Sequence, residues 1–442
     1  MGSRTPPPYV PGGAAAAGEP FDHRPDPDPG HGRPPLARAV LAGLDAADIR
    51  WCLLRDGVTP RAARDDVDLL VAPADLPRAV TAIEACGLVR LRSHGRGTHR
   101  FFLGLDAATA TWVELDLVTE LAYGRNFEVR TGAAAHCLAR RHRANGAWTL
   151  APEDEFWALL LHCLLDKRAF ARHHVDRLGH LAPAASLTSP LVRAMPPLAS
   201  PATLLAHARA GRWSALPALR RRFLAGWWLT HPGTAARRAV VSSALRVVER
   251  PLQAWSRRGA SVALIGPDGA GKSTLAAGLE SASYFPVRRV YMGLWSSTGA
   301  PRSAAGQALR VLARPFVVWR RYLGALRHRA LGRTVVFDRY VYDALLPPRG
   351  SLRWLKRPYF LLLSRLCPAP DVVLLLDVPG AVMHRRSGEY DPAHLEAERA
   401  HFRLLQRRVP HLERLDAHRP REVVLADALT RIWRHYVERA AR

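Results

Sequence analysis

The chain predicts an α/β protein of two modules joined by a helical region, and three observations carry that prediction. Residues 36–150 alternate short apolar runs with helical stretches, the rhythm of an α+β unit. Residues 261–265, 334–340 and 372–379 each hold an apolar run, the second ending in Asp338-Arg-Tyr340, as strands buried on both faces of a parallel sheet must. Between the first of these and a helix-forming stretch at 274–280 stands Gly266-Pro-Asp-Gly-Ala-Gly-Lys-Ser-Thr274. Strand, glycine-rich loop and helix in that order form the context that a phosphate-binding loop requires.

Taken in order, residues 1–35 are rich in Pro, Gly, Ala and Asp, bury no core and are expected to be a disordered tail. The α+β module, residues 36–150, opens with a helix over 36–47. Strands at 51–54 and 67–71 follow, then a helix over 76–86, and strands at 101–103 and 112–118 complete a mixed sheet. The connecting region, 151–254, is read as one helix over 153–180 with Phe156, Leu159, Leu160, Cys163 and Leu164 on its apolar face. A Pro/Ser-rich linker or long loop follows at 182–201, then basic helices over 203–250. The last module, 255–442, is expected to be a parallel sheet flanked by helices. Within it Leu309, Leu312, Phe316, Trp319, Leu323 and Leu326 make one apolar helix face, with most of the nearby arginines off it. That face is expected to pack on the module's own core, with Pro315 kinking or splitting the helix. The alternative is that the arginines meet a membrane surface or nucleic acid.

Charge narrows the partners. Lys and Arg total 64 against 38 Asp and Glu, a formal net charge of +26. No acid lies between Asp176 and Glu249, nor between Glu280 and Asp338, and both gaps are dense in arginine. Such a field attracts polyanions: nucleotides, nucleic acid, anionic lipid or acidic glycan intermediates. The other reading is a set of solvated arginine faces. Five cysteines (52, 86, 137, 163 and 367) are scattered, with no metal-ligand spacing, which suits reduced thiols in the cytoplasm. No apolar run reaches membrane-span length, and no secretory signal is evident.

The loop's chemistry follows from its residues. Gly266, Gly269 and Gly271 let the backbone turn tightly and aim N–H groups at phosphate oxygens, and the helix N-terminus adds partial positive charge. Lys272 reaches the β- and γ-phosphates, Ser273 offers a hydroxyl to magnesium, and Thr274 opens the helix. Lysine occurs only at 167, 272 and 356, so an otherwise arginine-using chain keeps a compact ammonium at this loop. ATP or GTP is the expected ligand, with Mg²⁺. Asp338, at the carboxyl end of its strand, is expected near the magnesium, and Arg339 beside it to grip a phosphate. Arg385 and Arg386 lie in a basic segment, 383–390, suited to a mobile lid.

On these residues the stretch 260–440 resembles the thymidylate kinase family of nucleoside monophosphate kinases. The Asp268-Gly-Ala-Gly-Lys272 core, Asp338-Arg339-Tyr340 and Leu376-Asp-Val-Pro379 carry the resemblance. It implies that Asp268 approaches the acceptor's sugar hydroxyl. It implies further that Asp338 holds magnesium or orients the acceptor phosphate, that Arg339 binds that phosphate, and that Arg385 and Arg386 act on the transferring group. The family's base-recognition residues have no clear counterpart, and the arginine-rich span 292–332 occupies the acceptor region.

In the first half Asp66-Val-Asp68 sets two carboxylates on one face of a strand, and Asp116 stands on another. Three converging acids are expected to form a magnesium site. This arrangement, over about residues 36–180, resembles a minimal bacterial branch of the nucleotidyltransferase fold, without the Gly-Ser pair that its members use on nucleotide phosphates. His162 reads as a core histidine.

The expected activity is transfer of the ATP γ-phosphate, with Mg²⁺, to a nucleoside monophosphate or another small phosphorylated acceptor. Two alternatives stand beside it: nucleotidyl transfer by the first half, alone or as a second activity, and a non-enzymatic NTP-binding adaptor that holds a polyanion.

Overall fold

The computed structural model describes residues 33–55, 64–91, 97–255, 259–293, 304–347, 353–388 and 390–440. The expected tail therefore lies, save for its last residues, outside the described residues.

The first half is organised by strands β1 (Trp51–Leu53), β2 (Arg64–Val71), β3 (Val89–Leu91), β4 (Arg100–Asp106), β5 (Thr111–Val118), β6 (Ala122–Tyr123), β7 (Val129–Arg130), β8 (His142–Ala144) and β9 (Ala147–Thr149). Seven of them form a mixed sheet in the order β3-β4-β5-β2-β1-β9-β8, and β6 pairs with β7. Helices α1 (Pro35–Ala46) and α2 (Leu76–Ala85) bury Val40, Leu44, Ala79 and Ile83 against Val67, Leu69, Leu115 and Leu117. Because side chains alternate along a strand, Asp66, Asp68, Glu114 and Asp116 take the opposite face.

The connecting region departs from expectation. The helix expected over 153–180 is broken: after α3 (Ala134–Ala139) come α4 (Pro152–Leu161), a π-helical turn (His162–Lys167), and α5 (Arg172–Leu181). The break falls at Arg168, whose φ of 59° is left-handed and cannot continue a helix. Nor is 182–201 a free linker. It holds α6 (Pro190–Arg193), buries Leu191, and is tied down where Ser189 Oγ donates to Asp154 at 2.7 Å and Trp157 Nε1 donates to the Ser186 carbonyl at 2.8 Å. Helices α7 (Pro201–Arg209), α8 (Leu216–Thr230) and α9 (Pro232–Trp255) follow. One apolar cluster runs from Cys52 and Leu70 through α4 to Phe223, Trp227 and Ala235, so these helices share a core with the sheet.

In the second half β10 (Ser261–Ile265), β11 (Val287–Tyr291), β12 (Thr334–Asp338), β13 (Val372–Asp377) and β14 (Leu412–Asp416) form a sheet in the order β11-β12-β10-β13-β14, parallel throughout. Its β10 and β13 strands are buried along their whole length, as their unbroken apolar sequences require. The flanking helices are α10 (Lys272–Ala282), α11 (Ala304–Ala330), α12 (Arg353–Arg365), α13 (Gly380–Ser387), α14 (Pro392–Leu404) and α15 (Arg421–Ala440). Separate apolar clusters cover the two sheet faces. The loop-bearing strand is thus central, and ligands of such sheets gather at the carboxyl ends of the strands.

Helix α11 corrects one expectation and narrows another. It runs unsplit through Pro315. Its buried side is Val318, Tyr322 and Ala325, while the expected core stripe faces outward, with Leu312 76% and Phe316 73% exposed. The helix carries apolar residues on two stripes, and the smaller Val and Ala side chains allow close approach to the sheet.

The two halves share a core. Trp112 of β5 donates from Nε1 to the Ala282 carbonyl at the end of α10 at 2.8 Å, and its ring meets Trp433 of α15 edge-on at 5.3 Å. Leu103 and Leu105 join it in the cluster that covers α10 and α15. All five cysteines are free. Among the described residues no helix is long and apolar enough to cross a membrane.

Candidate phosphate-loop site

The site begins where β10 ends. Gly271 precedes α10 at φ 94°, a turn that only glycine makes cheaply, and so brings the helix N-terminus to the loop. Gly269 has a second reason to be glycine. A methyl group there would stand 2.8 Å from the Met383 carbonyl oxygen and 3.1 Å from Ser387 Oγ, so α13 could not lie across the loop.

Lys272 is 6% exposed. Its Nζ donates to the carbonyls of Gly266 at 2.9 Å and Pro267 at 2.7 Å, and stands 3.5 Å from Asp268 Oδ1. Burial, then the neighbouring Arg339, lowers its pKa. Ser273 Oγ donates to Asp338 Oδ2 at 3.1 Å, so two oxygen donors suited to a hard divalent cation meet at the loop's edge. Thr274 is exposed in the first turn of α10.

Arg339 follows β12 with a left-handed φ of 65°, a conformation that costs a non-glycine residue of order 1–3 kcal/mol. The turn swings its guanidinium onto Asp268, with Asp343 Oδ2 at 3.9 Å from Nη1. The resemblance assigns Arg339 to an acceptor phosphate; here it pairs with two acids. Asp343 was not legible in the sequence, although a lone acid inside Val341-Tyr-Asp-Ala-Leu345 was a signal that could have found it. Its side chain is 7% exposed, and Oδ2 has no hydrogen bond among the described residues. Burial pushes its carboxyl up to about 6 against the pull of Arg339 and Lys272.

The expected lid segment is partly helical. Arg385 and Arg386 lie in the last turn of α13 and are exposed. Arg386 donates to the Ala417 carbonyl at 3.3 Å, and its Nη1 lies 4.0 Å from where a methyl on Gly271 would stand, over the loop. The α13–α14 pair is anchored at the end of β13. Gly380 N donates to Glu396 at 2.7 Å, and Asp377 accepts from Arg399 at 2.5 Å and Arg403 at 2.8 Å. Burial opposes ionisation of Asp377, but the hydrogen bonds from Arg403 and Arg399 hold its carboxyl below the usual range.

In the first half β2 and β5 set Asp68 opposite Asp116 and Asp66 opposite Glu114. Asp68 pairs with Arg55, and His99 Nδ1 lies 2.8 Å from Asp116 Oδ2. Burial alone would raise the Asp68 carboxyl, but Arg55 and then His162 draw it below its ordinary range. Burial, with Asp68 alongside, raises Asp116 despite His99. His162, expected in the core, is half-buried and pairs through Nδ1 with Asp166 at 2.9 Å. Asp68 and Asp116 stand opposite each other, but Arg55 and His99 from other segments pair with them. Among the described residues no group of three or more His, Cys, Asp or Glu side chains is gathered to hold a metal ion. Arg55 and His99 belong to no motif with these acids, standing 13 and 17 positions from Asp68 and Asp116, and the sheet brings them in.

No protein-family model matches the chain, and no curated protein matches it. Among matching solved structures is thymidylate kinase from Candida albicans, at 17% identity, covering 39% of this chain and 90% of that chain, with a TM-score of 0.29. A likeness of that size transfers neither substrate nor activity, and the second half is described from its own parallel sheet, its central loop strand and the residues at the strand ends.

Proposed function

We propose that the second half, residues 255–442, is an ATP-dependent phosphotransferase whose acceptor is a nucleoside monophosphate or another small phosphorylated molecule. The observation that carries this reading is the meeting of buried Lys272, the Ser273–Asp338 oxygen pair and the α10 N-terminus at the end of the central strand. The residues fit a magnesium nucleotide: a glycine-turned loop with one ammonium for phosphate oxygens, and a hydroxyl and a carboxylate for a hard cation. When bound, ATP supplies the phosphoryl group and Mg²⁺ offsets its charge. Lys272 already donates to two loop carbonyls, so its ammonium is held at the loop and can be redirected to phosphate without a change of fold. Arg386, on the helix lying across the loop, can exclude water and offset charge on the transferring oxygens. Arg339 can release Asp268 to grip an acceptor phosphate.

The test is ADP release from ATP and Mg²⁺ over a panel of nucleoside monophosphates and sugar phosphates, with Lys272→Ala as control. Stimulation by at least one acceptor, abolished in the variant, is the expected result. Background turnover with every acceptor removes the reading.

For the first half, residues 36–150, the shared core at Trp112 favours a bracing role: the sheet supports the end of the helix whose other end holds the loop lysine. Nucleotidyl transfer there would instead release pyrophosphate and be lost in Asp68→Ala.

A further inference from the structure

Helix α11 has two apolar stripes, and the fold uses one. Val318, Tyr322 and Ala325 are at most 7% exposed and pack on the sheet. The second stripe is Leu312, Phe316, Trp319, Leu323 and Leu326, exposed by 76, 73, 42, 52 and 38%. Steps of four, three, four and three residues keep these five side chains in one narrow band of an α-helix, about a third of a turn around from the buried stripe. Lone exposed apolar residues are ordinary; a continuous band with an aromatic centre marks a contact surface.

The charge around the band selects its partner. No Asp or Glu occurs anywhere in α11, nor between Glu280 and Asp338. Arg320 and Arg327 are exposed and fall on the flank of the band away from the core. A second copy laid along the same band would set arginine against arginine with no acid of the helix to pair them. Nucleic acid would satisfy the arginines but offers no apolar layer for leucine and phenylalanine. A lipid surface with acidic headgroups meets both needs in the right order, apolar band beneath and cations at the phosphate level.

We propose that α11 is an interfacial helix that docks this protein on an anionic phospholipid bilayer, Phe316, Trp319 and the three leucines entering the headgroup–acyl boundary and Arg320 and Arg327 meeting lipid phosphates. Docking this way sets one edge of the phosphate-loop site beside the bilayer. Arg321 of the same helix donates to the Gly293 carbonyl at 3.3 Å and lies over the Tyr291 ring, and Tyr291 is the register partner of Asp338.

The experiment is co-sedimentation of the full chain with phosphatidylcholine vesicles, with and without phosphatidylglycerol. The expected result is binding only to the phosphatidylglycerol vesicles, weakened by added salt. L312E/F316E is expected to abolish it, and R320Q/R327Q to weaken it about thirtyfold, at roughly a tenfold-or-less loss per arginine. Thermal melting of both variants in solution is expected to match the parent, since the four side chains are exposed. Absence of binding to the acidic vesicles overturns the proposal, as does binding that L312E/F316E leaves intact. A parent dimer that L312E/F316E dissociates in sedimentation velocity, without vesicle binding, assigns the band to a second copy. Retention on DNA or RNA without vesicle binding assigns the arginines to nucleic acid. Either result also overturns it.

Discussion

Ser273 Oγ donates to Asp338 Oδ2 at 3.1 Å, joining the first turn of α10 to the end of the neighbouring strand β12. Strand pairing sets this distance, because Leu264 of the loop strand is the register partner of Asp338. If the pair holds the divalent cation, Ser273→Ala and Asp338→Asn should each raise the Mg²⁺ concentration needed for half-maximal ADP release. Maximal turnover should fall about a hundredfold, the scale of losing one charge-stabilising group. A magnesium titration of both variants checks this.

Lys272→Ala should abolish ATP-dependent thermal stabilisation and lower turnover by about a hundredfold or more. Melting without nucleotide should change far less than with it, because the buried ammonium gives up water to make its two carbonyl bonds. Differential scanning with and without Mg-ATP separates the two effects.

Asp343 makes stability depend on pH. Its carboxyl is raised to about 6, so between the ordinary carboxylate range and pH 6 the folded state binds more protons than the unfolded one. The contribution is therefore present at low pH and lost as pH rises through about 6. Asp343→Asn should flatten that fall, by at most about 3 kcal/mol. Urea midpoints from pH 4 to pH 7, on parent and variant, report it. Burial and the neighbouring His173 lower His174 to about 4, which contributes the opposite slope over the same range. The difference between parent and variant is therefore the readout, and a variant whose pH dependence matches the parent's would refute the assignment.

Asp377 lies 8% exposed between Arg399, Arg403 and Arg414. Asp377→Ala leaves Arg403 and Arg414, 40% and 53% exposed, without this acid while Arg399 keeps Glu396, and should cost about 1–2 kcal/mol, the scale of lost charge-assisted hydrogen bonds to solvated partners. The α13–α14 pair should loosen first, detectable as faster amide exchange in residues 380–404 than in β10.

Trp112→Ala should uncouple the halves. It removes the donor to the Ala282 carbonyl and opens a cavity between β5, α10 and α15, costing about 3–5 kcal/mol. A single melting transition in the parent should separate into two in the variant, seen by calorimetry.

Local chemistry was legible wherever the ligand-facing groups are contiguous. Gly266 to Thr274 carry their own turn, ammonium and hydroxyl, so strand, loop and helix could be read in one pass. The strands at 334–338 and 372–377 were legible because burial on both faces demands unbroken apolar sequence. The helix over 153–180 was misread because a side-chain pattern does not report the left-handed φ at Arg168 that ends it. The α11 stripe was misread for a related reason. Periodicity identifies an apolar face but cannot say which of two faces meets the sheet.

By itself the sequence determined the α/β class, the glycine-rich loop with its ammonium and hydroxyl, and the acids at the strand ends, because these depend on neighbours along the chain. Only the tertiary structure decided which charges meet. It turned Arg339 onto Asp268, buried Asp343 beside it, placed Arg55 and His99 on Asp68 and Asp116, and set Trp112 against the far end of the loop helix. Coulomb and hydrogen-bond energies depend on distances of a few ångströms between residues that stand from 4 to 170 positions apart, and those distances exist only once sheet register and helix packing are set.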